Sequence, residues 1–153
     1  MKIEIDDLTG SEVIELLRFH RAEMERVTPQ AESMHALDLD GLRHPDVVFW
    51  TLRDEGRLAG CGAVKRLDET HGEIKSMRTA EAYQRRGVAA TLLAHIEQES
   101  AHMGLARLSL ETGTEDYFAP ARALYERCGF AYCEPFAGYV LDPLSAFMTK
   151  KIA

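Results

Sequence analysis

The spacing of apolar positions changes several times along the 153-residue chain, and each change marks an element. Residues 2–6 alternate apolar and charged, with Ile3 and Ile5 on one side, as an edge strand does. Thr9 and Glu12 form a capping-box pattern, and Val13, Leu16, Leu17, His20 and Met24 follow at helical spacing until Pro29 breaks it. Residues 33–43 read as a shorter second helix carrying Met34, Leu37 and Leu42. Strands at 47–53 and 57–65 flank Asp54-Glu55-Gly56, a hairpin turn, and a third strand covers 72–79. Both connections are short, so the three pair antiparallel. Val88, Leu92, Leu93, Ile96 and Met103 then return to helical spacing, and Gly104 stops that helix. A strand at 106–112, a helix at 117–128 with Pro120 in its first turns and Gly129 at its end, and strands at 130–133 and 145–150 complete the chain. The order is βααβββαβαββ, a mixed α/β fold with a mostly antiparallel central sheet.

Composition narrows what this fold can do. Hydrophobic residues make up 46% of the chain and charged residues 28%, in both signs, which suits one core and a single domain over 1–153. The net charge of -7 argues against nucleic-acid binding, which uses a basic face, and disfavours a strongly anionic ligand. Cys61, Cys128 and Cys133 cannot pair evenly and match no common zinc spacing, so they read as reduced thiols. The first residues lack a signal-peptide pattern and no run reaches the ~18 apolar residues of a membrane span. A soluble cytoplasmic protein is expected.

The chemistry concentrates in residues 73–93, where a strand enters the loop Gln84-Arg85-Arg86-Gly87-Val88-Ala89 and the loop opens into a helix. The first amides of a helix have no internal acceptor and carry partial positive charge. Gly87 lets backbone approach a ligand, Ala89 and Ala90 keep the first turn uncrowded, and Arg85 and Arg86 add charge. A pyrophosphate fits such a cradle. No Gly-Lys-Ser/Thr and no Gly-x-Gly-x-x-Gly offers a different nucleotide site.

The pattern Gln84-x-x-Gly87-x-Ala89 resembles the Gln/Arg-x-x-Gly-x-Gly/Ala loop of the GNAT superfamily of acetyltransferases. Ala121-Arg122-Ala123-Leu124-Tyr125-Glu126-Arg127-Cys128-Gly129-Phe130 resembles that family's Ala-x-x-Leu-Tyr-x-x-x-Gly-Phe segment, at the family's separation and in its element order. The resemblance implies an acetyl-CoA-dependent N-acetyltransferase with acetyl-CoA as cosubstrate and no metal. It implies a sheet splayed between strands 72–79 and 106–112, where the pantetheine arm lies. Backbone at Met77, Arg78 and Thr79 then binds that arm, with the Met77 amide facing the thioester oxygen. Gln84, Arg85, Arg86, Gly87, Val88, Ala89 and Ala90 hold the pyrophosphate. Relatives often carry Asn where this chain has Phe118, which leaves Phe118 only a packing role against the coenzyme. Dimers are common in the family, so a homodimer is open.

Three residues carry the acid–base chemistry that an amine nucleophile and a thiolate leaving group require. Glu73 resembles the strand glutamate that some family members use as base; the alternative is an exposed strand carboxylate. Strand alternation puts Glu73, Lys75, Met77 and Thr79 on one face. Glu111, near the end of the neighbouring strand, is the rival base or a salt-bridged carboxylate. Tyr125 is the acid toward sulfur by resemblance, or a core aromatic. An acetyl-cysteine route lacks support, because Cys128 sits at a helix C-terminus where the dipole opposes a thiolate. His95, Glu99 and His102 share a helix face as three ligands or as plain polar positions. His35 and His71 belong to the acceptor site or to ordinary surface, the segment Pro135–Pro143 to the acceptor pocket, a dimer contact or a plain surface loop, and Trp50 to the core. The function expected is transfer of acetyl to a small-molecule primary amine in a ternary complex, and the acidic balance leans that acceptor toward a small cationic amine or amino compound. A non-catalytic acyl-CoA sensor and a protein or peptide acetyltransferase are the alternatives.

Overall fold

The structure, a computed structural model, describes residues 1–27 and 39–153. Its elements are β1 (Lys2–Ile5), α1 (Ser11–Val27), α2 (Leu39–Leu42), β2 (Val47–Asp54), β3 (Arg57–Arg66), β4 (His71–Thr79), α3 (Val88–His102), β5 (Arg107–Gly113), α4 (Ala119–Arg127), β6 (Ala131–Tyr132) and β7 (Ser145–Lys151). This is the order read from the sequence. Pro29, His35, Met34 and Leu37 lie outside the described residues, and Leu42 is buried as expected.

The strands form one sheet in the order β1-β2-β3-β4-β5-β7-β6. The β2–β3 turn closes tightly because Glu55 and Gly56 both take left-handed backbone, with φ of 51° and 83°. One face of the sheet packs under α3 and α4 through Trp50, Val64, Ile74, Leu92, Ile96 and Leu108. The other packs Phe49, Cys61 and Ala63 against Val13 and Leu17 of α1.

Two expectations at helix starts are corrected. Thr9 does not cap α1: its hydroxyl donates to Asp7 at 2.6 Å, and the first helical bond runs from the Ile14 amide to the Gly10 carbonyl. Glu12 pairs instead with Arg53 at 3.1 Å. The helix expected over 117–128 opens with a tight 3-10 turn at Asp116–Phe118 before α4 begins.

The third correction bears on the site. Between Cys61↔Arg78 and Ala63↔Lys75, β3 contributes one residue and β4 contributes two, so β4 is bulged at Ser76–Met77. Ser76 takes a φ of 56°, unusual for a residue with a side chain. The bulge reverses alternation, so Met77 and Thr79 do not share a face with Glu73 and Lys75. Met77 packs into the α3-side core, and Arg78 turns toward α1, where its guanidinium lies 5.1 Å from the Phe19 ring. Gly62 makes room for this bulge, since a Cβ there would lie 2.4 Å from Met77 Sδ.

The splay is present. Parallel pairing of β4 and β5 covers His71↔Arg107, Gly72↔Leu108 and Glu73↔Ser109. Both strands run on past that point, to Thr79 and to Gly113, paired with β3 and β7 but not with each other. The gap that opens between them is the floor of the cleft described next.

Candidate active site

The cleft has a volume of about 520 Å³ and runs from the loop before α3 to the underside of α1. Met77, Arg78, Thr79, Gln84, Arg85, Ala89, Glu73, Glu111, Phe118 and Tyr125 all line it, so most of the residues singled out in the sequence converge there.

At the loop end, backbone makes the site. Gly87 is the N-cap of α3, with a φ of 79° and no side-chain cap. The first bond within the helix runs from Thr91 N to the Gly87 carbonyl at 3.0 Å, so the amides of Val88, Ala89 and Ala90 precede it without intrahelical acceptors. Arg85 is also left-handed, with a φ of 63°. Such turns aim successive amides to one side and make an anion nest. The Val88 side chain is buried in the core, so its contribution is its amide alone. Arg86 stacks its guanidinium 5.1 Å from the Tyr83 ring, and Ala90 and Gly87 face solvent.

In the middle of the gap stand Tyr125 and Phe118. Tyr125 is buried and edge-on to Phe130, and burial holds its phenol above the ordinary range, so it stays protonated at neutral pH. Phe118 is buried over Gly113, where a Cβ would lie 2.1 Å from the ring. It therefore packs the end of β5 while one side faces the cleft.

The two carboxylates occupy different environments. Glu73 is 4% exposed, with Lys75 Nζ at 2.9 Å and the Tyr139 hydroxyl donating to it at 2.5 Å. It is a buried, paired group and not the exposed carboxylate that alternation alone allows. Glu111 accepts from Ser145 Oγ at 2.8 Å, and burial pushes its carboxyl up to about 7 despite that bond and the nearby Lys75. The negative charges of Glu73 and Asp142 act in the same raising direction.

α1 closes the acceptor end through Leu17, His20, Arg21 and Met24. His20, read from the sequence as one of the helically spaced positions of the first helix, is part of the cleft wall. Burial, with the charge of Arg78 second, lowers its imidazole to about 4, so the ring is neutral. Tyr139, inside the 135–143 segment, lines the cleft; the tip at Val140 and Leu141 is exposed. His71 stands apart, bonded to Ser109 Oγ at 2.7 Å. Cys61, Cys128 and Cys133 are free thiols, and burial pushes Cys61 up to about 12. His95 turns toward Trp50, with ring centroids 5.7 Å apart, while His102 pairs with Glu99 at 3.0 Å. The three do not gather as ligands. No described helix is long and apolar enough to cross a membrane.

Comparison with known proteins agrees with this geometry. The Acetyltransferase (GNAT) family model matches residues 13–130. The uncharacterized N-acetyltransferase YsnE of Bacillus subtilis (strain 168) is 54% identical over 152 residues, 99% of this chain and 100% of that protein. The uncharacterized N-acetyltransferase YedL of Escherichia coli (strain K12) is 51% identical over 147 residues, 96% of this chain and 92% of its own. A crystal structure from Klebsiella pneumoniae, described as an acyl-CoA N-acyltransferase, superposes with a TM-score of 0.81 at 29% identity, covering 99% of this chain and 97% of that one. An aminoglycoside 6'-N-acetyltransferase complexed with coenzyme A shares the fold, with a TM-score of 0.74 at 16% identity over 100% and 98% of the two chains. A splayed β4–β5 gap, an amide nest at the start of α3 and a family match spanning both lead to one conclusion: the chain belongs to the GNAT family and is an acetyl-CoA-dependent N-acetyltransferase.

Proposed function

We propose that the protein acetylates a primary amine of a small molecule in a ternary complex, with Glu111 as the general base. The observation that carries this reading is the shared cleft. Glu111, raised to about 7, opens onto the same gap as Tyr125 and the Met77 backbone.

Acetyl-CoA supplies a thioester whose carbonyl carbon accepts the amine. The loop amides at 85–90 hold its pyrophosphate, and the backbone of β4 from Met77 to Thr79 lines its arm. A bulge leaves its extra residue out of the ladder, which frees backbone near Met77 for the thioester oxygen. A donor aimed at an oxygen that gains charge typically contributes ~3–4 kcal/mol. Glu111 takes the proton of the incoming ammonium, for which a carboxyl poised near neutrality is well matched. Tyr125 keeps its own proton and donates a hydrogen bond to the departing sulfur, and as the C–S bond breaks the second proton of the nitrogen passes to that sulfur, leaving an amide and a free thiol. Glu73, already bonded to Lys75 and Tyr139, orders the wall beside Glu111 and is left a positioning role.

Thiol release on mixing with acetyl-CoA and a panel of primary amines tests the proposal. Amine-dependent release is expected, with kcat/KM rising with pH through about 7. Coenzyme binding without release for any amine would support a sensor instead.

A further inference from the structure

Although the chain is acidic overall, the acceptor end of its cleft is not. Arg21, Lys75 and Arg78 face it, against Glu73 and a Glu111 that burial keeps half protonated at neutral pH. Two of these cations are balanced: Lys75 by Glu73 at 2.9 Å and Arg21 by Glu25 at 3.1 Å. Arg78 has no carboxylate within ion-pair distance among the described residues. Its Nη1 donates to the Tyr117 hydroxyl at 3.0 Å and its plane lies against Phe19.

Among the described residues, four side-chain atoms are buried without a hydrogen-bond partner: His20 Nδ1, Thr51 Oγ1, Arg78 Nε and Ser100 Oγ. Two of the four, Arg78 Nε and His20 Nδ1, belong to residues on this one cleft wall. A buried unpaired N–H on a charged group is costly, so one that belongs to a cleft-lining residue marks a place where a ligand's acceptor atom is favourable. A guanidinium is complemented best by a planar carboxylate. The neutral His20 beside it offers one further polar contact without adding charge. Leu17 and Met24 make the rest of the wall apolar.

We propose that the acceptor is an amine that also carries a carboxylate, with the carboxylate held by Arg78 and the amine directed to Glu111. This rests on the N-acetylation reading above and reverses the lean toward cationic amines that net charge suggests. Whole-chain charge sets the far field, whereas a cleft is governed by the groups that line it.

The test compares leucine and phenylalanine with leucinamide, phenylalaninamide and isoamylamine, which lack the carboxylate, in the thiol-release assay. The acids are expected to show kcat/KM about tenfold to a hundredfold above their carboxamides, the range of one charge-assisted hydrogen bond. In Arg78→Gln the KM for the acids rises by a similar factor and the acid–carboxamide gap closes, while the KM for acetyl-CoA stays within about twofold. Arg78→Lys restores part of the gap. Equal use of acid and carboxamide by the wild type, or preference for isoamylamine, would overturn the inference and leave N-acetylation standing. Turnover of no amine, with acetyl-CoA still bound in a thermal shift, would overturn both.

Discussion

The two ends of the cleft are built differently. At the loop end, one short stretch of chain leaves the amides of Val88, Ala89 and Ala90 without intrahelical acceptors, with Arg85 and Gly87 in left-handed turns. At the acceptor end, the groups come from α1, β4, β5 and the segment before β7, and side chains do the work. His20, Arg78, Glu111 and Tyr139 are up to 119 positions apart in sequence (139 minus 20) yet line one cavity. A backbone site tolerates changes in neighbouring side chains, because the amides stay whatever the side chains are. A side-chain site depends on several elements docking correctly, so it can change while the fold stays the same.

Substitutions can separate the two ends. The largest effect is expected for Glu111→Gln, which lowers kcat by about 10²–10⁴ and flattens the pH–rate profile while the dissociation constant of acetyl-CoA is unchanged. The same variant should be more stable above pH 7. A carboxyl raised from its ordinary 4.5 to about 7 holds more protons folded than unfolded, so folding stability falls as pH rises through that window. Gln cannot ionise and escapes the loss, which on the order of 2–3 kcal/mol would show as a higher Tm at pH 8 than wild type. Equal Tm values at pH 8 would show that Glu111 ionises without difficulty.

Tyr125→Phe should slow kcat about tenfold to a hundredfold, the worth of one hydrogen bond to a charged sulfur, with coenzyme binding retained. Gly87→Ala should act at the other end alone. An alanine forced to a φ of 79° is strained by ~1–2 kcal/mol, so the KM for acetyl-CoA rises about tenfold while saturating kcat stays within about twofold. The smallest effect on turnover, a few-fold, is expected for Glu73→Gln. Its consequence is on stability, about 3 kcal/mol, because Lys75 is left buried without its carboxylate. A loss of turnover as large as that of Glu111→Gln would move the base to Glu73.

Much of the fold was legible because its signals are local. Turn residues at Glu55-Gly56, helical spacing from Val88 to Ile96 and the loop before α3 each act within a few residues, and all appear where the chain predicts them. Errors arose where a neighbour outbid a local preference. Asp7 took the Thr9 hydroxyl that a capping box would have used, and the bulge at Ser76 turned Met77 away from the face of Glu73. Nothing near Ser76 in sequence announces that bulge. The open glycine face of β3, with Gly62 under Met77, permits it from fifteen residues away (77 minus 62).

By itself, then, the sequence determined the element order, the glycine-capped loop before α3 and the family, because these follow from backbone preferences and short-range spacing. Only the tertiary structure distinguishes the two carboxylates considered as the base. Glu73 and Glu111 are the same kind of residue on adjacent strands. One meets Lys75 and Tyr139, the other a serine hydroxyl in a cleft where burial raises its carboxyl to about 7, and the proposed division of roles rests on this difference in surroundings.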